Sequence, residues 1–174
     1  MKCRNLIVLA SIAALFGCKT NANLPTVKQL DVNKYAGLWY EVARLPNSFE
    51  KGMDCTTATY TVKADGKIEV LNKGRKTDKN NEMSDITGTA WVPDAAYPAQ
   101  LKVRFFWPFA GDYYVIELDE NYRYALVGAP NRKYLWVLAR TKTLDEKTYS
   151  ALLNRAKELG FDVEKIIRVN QNCE

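Results

Sequence analysis

Eight short runs of alternating side chains constrain this chain more than any other feature. They fall at residues 38–44, 56–63, 67–73, 84–91, 101–106, 113–118, 122–128 and 134–140. Alternation at period two is the mark of a half-buried strand. Turn-forming stretches separate most of the runs, at 64–66, 77–82, 93–98, 119–121 and 129–133. Strands linked at hairpin length make an antiparallel meander, and a meander loses its exposed edges by closing into a barrel. The pattern then changes. Thr143, with Glu146 three residues on, reads as a capping box. Tyr149, Leu152, Leu153 and Ala156 recur at helical spacing before a stop at Gly160. Residues 165–169 read as one more short strand. The expected fold is all-β: an eight-stranded antiparallel up-and-down barrel with a C-terminal α-helix and a short final strand, in one domain over residues 31–174.

What precedes that domain reads as targeting. Lys2 and Arg4 are followed by an apolar run from Leu6 to Phe16. That run is too short for a bilayer core of about 30 Å but suits a signal peptide. It ends in Leu15-Phe16-Gly17-Cys18, which resembles a bacterial lipobox, although Phe16 stands where a small residue is usual. The motif implies a signal peptide over residues 1–17 and acylation of Cys18 as the mature N-terminus. Lys19 after the cysteine implies sorting to the outer membrane. The alternative is an ordinary secretory signal with an incidental cysteine. Residues 18–30, polar and carrying Pro25, read as lipidated end and tether. Of four cysteines, Cys3 leaves with the signal and Cys18 takes the lipid. Cys55 and Cys173 remain, an even pair in an exported chain. A disulfide is the economical reading, and two free thiols are the alternative.

Composition removes whole classes of function. Among 174 residues there is no histidine, which excludes Ser-His and Cys-His nucleophile pairs, His-ligated haem and His-containing zinc sites. No metal or other cofactor is expected. The net charge is +5, but lysines and arginines are scattered, so nucleic acid is not an expected partner.

The order of elements, with Gly37-Leu38-Trp39 at the start of the first strand and Arg140 closing the eighth, resembles the lipocalins. The segments 31–52, 101–109, 113–128 and 134–146 are similar to the bacterial outer-membrane branch and to apolipoprotein D. A second family motif, an Asp-Tyr pair before the seventh strand, is altered here to Asp119-Glu120. The resemblance implies that Arg140 packs across Trp39 at a closed barrel base, with Gly37, Trp39 and Arg140 structural. It also places Cys55 and Cys173 where apolipoprotein D has a disulfide.

An eight-stranded barrel has room inside for side chains or one small ligand. Alternation carried up from Trp39 assigns Glu41 and Ala43 to the inner wall. On the other strands it assigns Ala58 and Tyr60; Ile68, Val70 and Asn72; Ser84 and Ile86; Leu101, Val103 and Phe105; Tyr113 and Val115; Tyr134 and Trp136. Candidate ligand contacts are Glu41, Ala58, Tyr60, Val70, Asn72, Ile86, Val103, Phe105, Tyr113 and Trp136. An inward acid needs a partner, so Glu41 is expected to meet either Arg140 or a ligand hydroxyl. Phe106, Trp107 and Phe109 around Pro108 read as a hydrophobic lip, a membrane-facing patch, or a loop folded onto the barrel.

The resemblance implies a non-enzymatic, outer-membrane-anchored carrier of fatty acids or lysophospholipids, serving membrane maintenance. The alternatives are a binder of another small hydrophobic ligand such as a pigment, and an isomerase using Cys55. The oligomeric state is left open, a homodimer included.

Overall fold

The computed structural model describes residues 23–173. Eight strands follow one another as expected: β1 Gly37–Arg44, β2 Met53–Val62, β3 Ile68–Lys76, β4 Glu82–Trp91, β5 Gln100–Phe106, β6 Phe109–Leu118, β7 Tyr124–Gly128 and β8 Leu135–Ala139. Each bonds antiparallel to the next, and β1 bonds both β8 and β2, so the sheet closes on itself. The Asp119 turn before β7 is tightly held. Its carboxylate accepts from the backbone of Asn121 and Arg123 and from the Arg123 guanidinium at 2.7–2.8 Å. Those bonds pull its pKa down to about 2.

A one-turn helix, α1 (Val32–Tyr35), precedes β1, capped by the Asp31 carboxylate. The sequence offers too short a span there for periodicity to reveal it. Of the stretch read as tether, Leu24 is fully buried, and the Val27 N–H donates to the Val115 carbonyl at 3.0 Å. The chain is thus docked on the barrel from Leu24 onward.

The C-terminal helix, α2 (Glu146–Glu158), is capped by Asp145, whose carboxylate accepts from the Thr148 N–H at 2.9 Å. This corrects the expected Thr143 cap. A carboxylate is the stronger acceptor for a helix N-terminus, and Glu146 turns outward to a bidentate pair with Arg168 at 2.6–2.8 Å. The final strand is also shorter than expected. A 3₁₀ turn at Val163–Lys165 leaves only β9, Ile167–Arg168.

Two cores result. Outside the barrel, Tyr149, Leu152 and Ala156 of α2 pack with Phe161 on Val42, Ala43, Ile116, Leu126 and Val137. Inside it, Trp39, Tyr60, Ile68, Val70, Leu101, Val115 and Leu138 form the second. Ala43 therefore faces the helix and not the barrel interior, which corrects the inner-wall assignment. The reason is a bulge. Opposite β8, Glu41 pairs with Leu138 but Ala43 with the adjacent Val137, so Val42 is an extra residue. Beyond it the alternation of β1 is inverted, and Arg44 points inward.

The bulge also marks where β1 and β2 part. Their last pair is Tyr40 with Thr57. Above it the C-terminal tail enters the gap. β9 bonds Ala43 and Arg44, the Cys55 N–H donates to the Asn170 carbonyl, and the Gln171 amide donates to both the Glu41 and Thr56 carbonyls at 2.8–2.9 Å. A disulfide joins Cys55 to Cys173, with 6.2 Å between the Cα atoms.

Candidate ligand-binding cup

The base of the barrel is sealed. Trp39 is fully buried, and its indole N–H donates to the Tyr35 carbonyl at 2.8 Å. The Arg140 guanidinium lies 3.9 Å from the centre of the Trp39 ring and donates to the carbonyls of Lys34, Tyr35, Ala36, Leu38 and Tyr122. One cation thus collects carbonyls from two separate segments while stacking on an aromatic face. Gly37 is required beside it. Its φ of +94° suits glycine, and a Cβ there would stand 3.4 Å from Arg140.

Above the base, burial falls off toward the other end. Inward positions near the base are sealed: Tyr60, Ile68, Val70, Ala90, Leu101, Val115 and Leu138. Inward positions one or two steps further along the same strands are partly exposed: Ala58, Asn72, Ser84, Ile86, Val103, Phe105, Tyr113 and Trp136. The register puts them on the same face, with Ala58 opposite Asn72, Asn72 opposite Ile86, and Gly74 opposite Ser84. Inner-wall side chains that still touch solvent describe an open cup. Gly88 makes room in its wall, since a Cβ there would meet the Phe105 ring at 2.6 Å.

Polar groups in the cup are few. The Tyr113 hydroxyl bonds those of Tyr35 and Tyr60 at 2.7 and 2.8 Å. Burial is the main cause holding all three phenols neutral, with pKa values raised above the ordinary range. The Asn72 side-chain oxygen is buried without a hydrogen-bond donor, alone in this among the described residues.

The rim beside β1 carries a charged knot. Arg44 donates through Nη1 to Glu41 at 2.6 Å and to Thr56 at 3.5 Å. Its Nη2 reaches the Glu50 and Met53 carbonyls at 2.9 and 2.7 Å, pinning the loop between β1 and β2. Glu41 and Arg44 are 5% and 3% exposed. The expected partner of Glu41 was Arg140 or a ligand; the actual one is Arg44. Arg140 is committed at the base, and the bulge that turns Arg44 inward left no mark in the alternation. Burial, and then the nearby Glu50, push the Glu41 carboxyl well above its usual range, against the pull of Arg44. Glu50 accepts from the Trp136 indole N–H at 3.1 Å and from Asn47 at 2.5 Å. Trp136 stacks on Tyr134 at 5.9 Å between ring centres, and Tyr134 on Phe49 at 5.5 Å. Arg44, Glu50 and Tyr35 are the residues that sequence reasoning missed.

At the tip of the β5–β6 hairpin, Phe106, Trp107 and Phe109 are 69%, 81% and 78% exposed. They are not folded onto the barrel wall. This hairpin and those joining β1–β2, β3–β4 and β7–β8 all turn at the open end. Cys18 lies outside the described residues.

Comparison with known proteins agrees with this geometry. The lipocalin-like domain family matches residues 30–171. The outer membrane lipoprotein Blc of Vibrio cholerae is 42% identical over 95% of this chain and 96% of its own. That of Escherichia coli K12 is 41% identical, again over 95% and 96%. Apolipoprotein D of Macaca fascicularis is 35% identical over 97% and 96%. Among solved structures, insecticyanin from Manduca sexta shares the fold at 24% identity, with a TM-score of 0.68 over 85% of this chain and 84% of that one. A closed eight-stranded barrel, a Trp39–Arg140 seal at its base and homologues matched almost end to end lead to one assignment: the chain belongs to the lipocalin family.

Proposed function

We propose that the protein is a carrier of single-chain lipids, fatty acids or lysophospholipids, at the bacterial outer membrane. It is held there by acylation of Cys18 and serves membrane maintenance. Lipocalins are in general binding proteins rather than enzymes. The observation that carries the reading is the burial gradient: a sealed base, an apolar wall and an upper half that still meets solvent. A tail enters that wall, and the head group stays at the rim. The exposed rings of Phe106, Trp107 and Phe109 suit a lipid interface, where aromatic side chains settle, and would bring the rim to the leaflet that supplies the cargo. The reading involves no covalent chemistry. The Cys55 sulfur, the one nucleophile an isomerase of this fold could use, is bound in the disulfide.

Titration with saturated fatty acids of increasing length, read by the change in tryptophan fluorescence, tests the proposal. Each methylene buried adds about 0.8 kcal/mol, so affinity should climb with length and level off once the cup is full. Affinity indifferent to chain length would end the lipid-carrier reading.

A further inference from the structure

The side of the barrel is closed by a segment that few contacts hold in place. β1 and β2 pair as far as Tyr40 and Thr57, and just above that pair each strand carries an extra residue: Val42 in β1, opposite β8, and one of Cys55 and Thr56 in β2, opposite β3. Cys55 stands at a φ of +50°, a conformation uncommon outside glycine. Two strands bulged at the same height keep their facing edges out of register, so the gap between them is built into the sheet. The C-terminal tail fills it. The Val169 N–H donates to the Val42 carbonyl at 2.9 Å, the Cys55 N–H to the Asn170 carbonyl at 2.8 Å, and the Gln171 amide spans the gap from the Glu41 carbonyl to that of Thr56. The residues along it, Glu41, Arg44 and Thr56, are buried and belong to the charged knot of the cup. No apolar side chain anchors this stretch. Between Ile167 and Cys173, Gln171 alone is buried, and Ile167 is 41% exposed. Arg168 ties the start of the tail to α2, through its pair with Glu146 and its place 3.9 Å from the centre of the Tyr149 ring. Past Arg168, hydrogen bonds and the Cys55–Cys173 disulfide hold the tail. Segments with few buried apolar contacts open locally at low cost, so the covalent bond is what keeps the gap shut.

We propose that residues 169–173 are a latch on the side of the cup, released by a small dithiol. One thiolate of the dithiol attacks a sulfur of the Cys55–Cys173 bond and the other sulfur leaves; the second thiol of the reagent then displaces the attacked cysteine. The protein gains two electrons and two protons as a pair of thiols, and the reagent ends as a disulfide. The tail swings out about Arg168, and the slot between β1 and β2 gives the cargo a side exit. The inference rests on the carrier reading and adds to it a means of release. Backbone hydrogen exchange and the dissociation rate of hexadecanoate test it, measured on the full-length protein before and after treatment with dithiothreitol. Reduction should speed both the exchange of the Cys55 and Val169 amides and the release of hexadecanoate by at least about tenfold, while the β3 and β4 amides keep their protection. The double variant Cys55→Ser, Cys173→Ser should match the reduced protein and ignore dithiothreitol; should it not fold, the reduced parent decides alone. Tail amides that stay protected overturn the latch, and so does a disulfide that resists dithiothreitol until the barrel unfolds. Loss of protection in β3 and β4 overturns it too, since the disulfide would then be holding the whole barrel. Opened tail amides with unchanged release overturn the exit and leave the carrier standing. Hexadecanoate that fails to bind the oxidised protein overturns the carrier reading, and the exit with it.

Discussion

Glu41 and Arg44 sit three residues apart, nearly sealed from solvent, and joined by a bond of 2.6 Å. Burial and the neighbouring Glu50 raise the folded-state pKa of Glu41 above its unfolded value near 4.5, while Arg44 opposes the rise. The folded state therefore holds this proton more tightly than the unfolded one. Its contribution is fully present below pH 4.5 and is lost as the pH rises toward the folded value. Glu41→Gln should remove that decline, so urea midpoints measured against pH should separate the variant from the parent above pH 4.5. A parallel pair of curves would contradict it. The two inner tryptophans offer a second contrast. Trp39→Ala opens a cavity in a sealed base and should cost roughly 3–5 kcal/mol of stability. Trp136→Ala lies on the exposed side of the wall and should weaken ligand binding with a smaller loss of stability. Reversal of those outcomes would mean that the cup opens at the other end.

At the level of elements, most of the architecture was legible, because strand alternation and hairpin spacing are local properties. The runs around 56–63, 67–73 and 84–91 match β2, β3 and β4 with ends moved by at most three residues, and the inner face of each follows from parity alone. Parity fails only where an extra residue is inserted. Val42 in β1 has the side chain of an ordinary strand residue, and the bulge it creates comes from pairing with β8, almost a hundred residues away. Hence Ala43 was placed inside and Arg44 overlooked. Deleting Val42 would leave Ala43 opposite Val137 and Arg44 opposite Trp136, so the knot depends on Arg44 itself. We expect Arg44→Ala to cost about 3 kcal/mol, since it leaves Glu41 buried without its partner; chemical denaturation measures it. A variant as stable as the parent would show the knot to be incidental. The helix cap was misread by two residues for a simpler reason. Thr143 and Asp145 both satisfy the local pattern, and the choice is made by Glu146 engaging Arg168 on the distant tail. Asp145→Ala should cost about 1 kcal/mol, seen as a lower thermal midpoint, whereas Thr143→Ala should change little.

Over the whole molecule, the candidate site is built from what the chain brings together late. Trp136 and Phe105 could be assigned from their own strands. The stack of Phe49 on Tyr134, and the indole of Trp136 on Glu50, join a loop to a strand 85 or more residues away, and nothing local encodes them. The disulfide acts at this scale too. It closes a sequence separation of 118 residues, worth up to about 4–5 kcal/mol in the chain-entropy picture. Cys173→Ser should lower the urea midpoint accordingly and free one titratable thiol at Cys55. It should also loosen the rim, because Gln171 and the Glu41 carbonyl are tied through the same tail.

That tail has a consequence for how the protein can be made. The first two strands part above Tyr40, and the gap is closed by residues 167–171, which leave the ribosome after all eight barrel strands. A nascent chain halted after α2 would own every stave and still have an unfinished seam. Closure is therefore timed by chain order: the earliest strand waits for a segment more than a hundred residues behind it, and until that segment arrives the rim beside Glu41 cannot take its final shape.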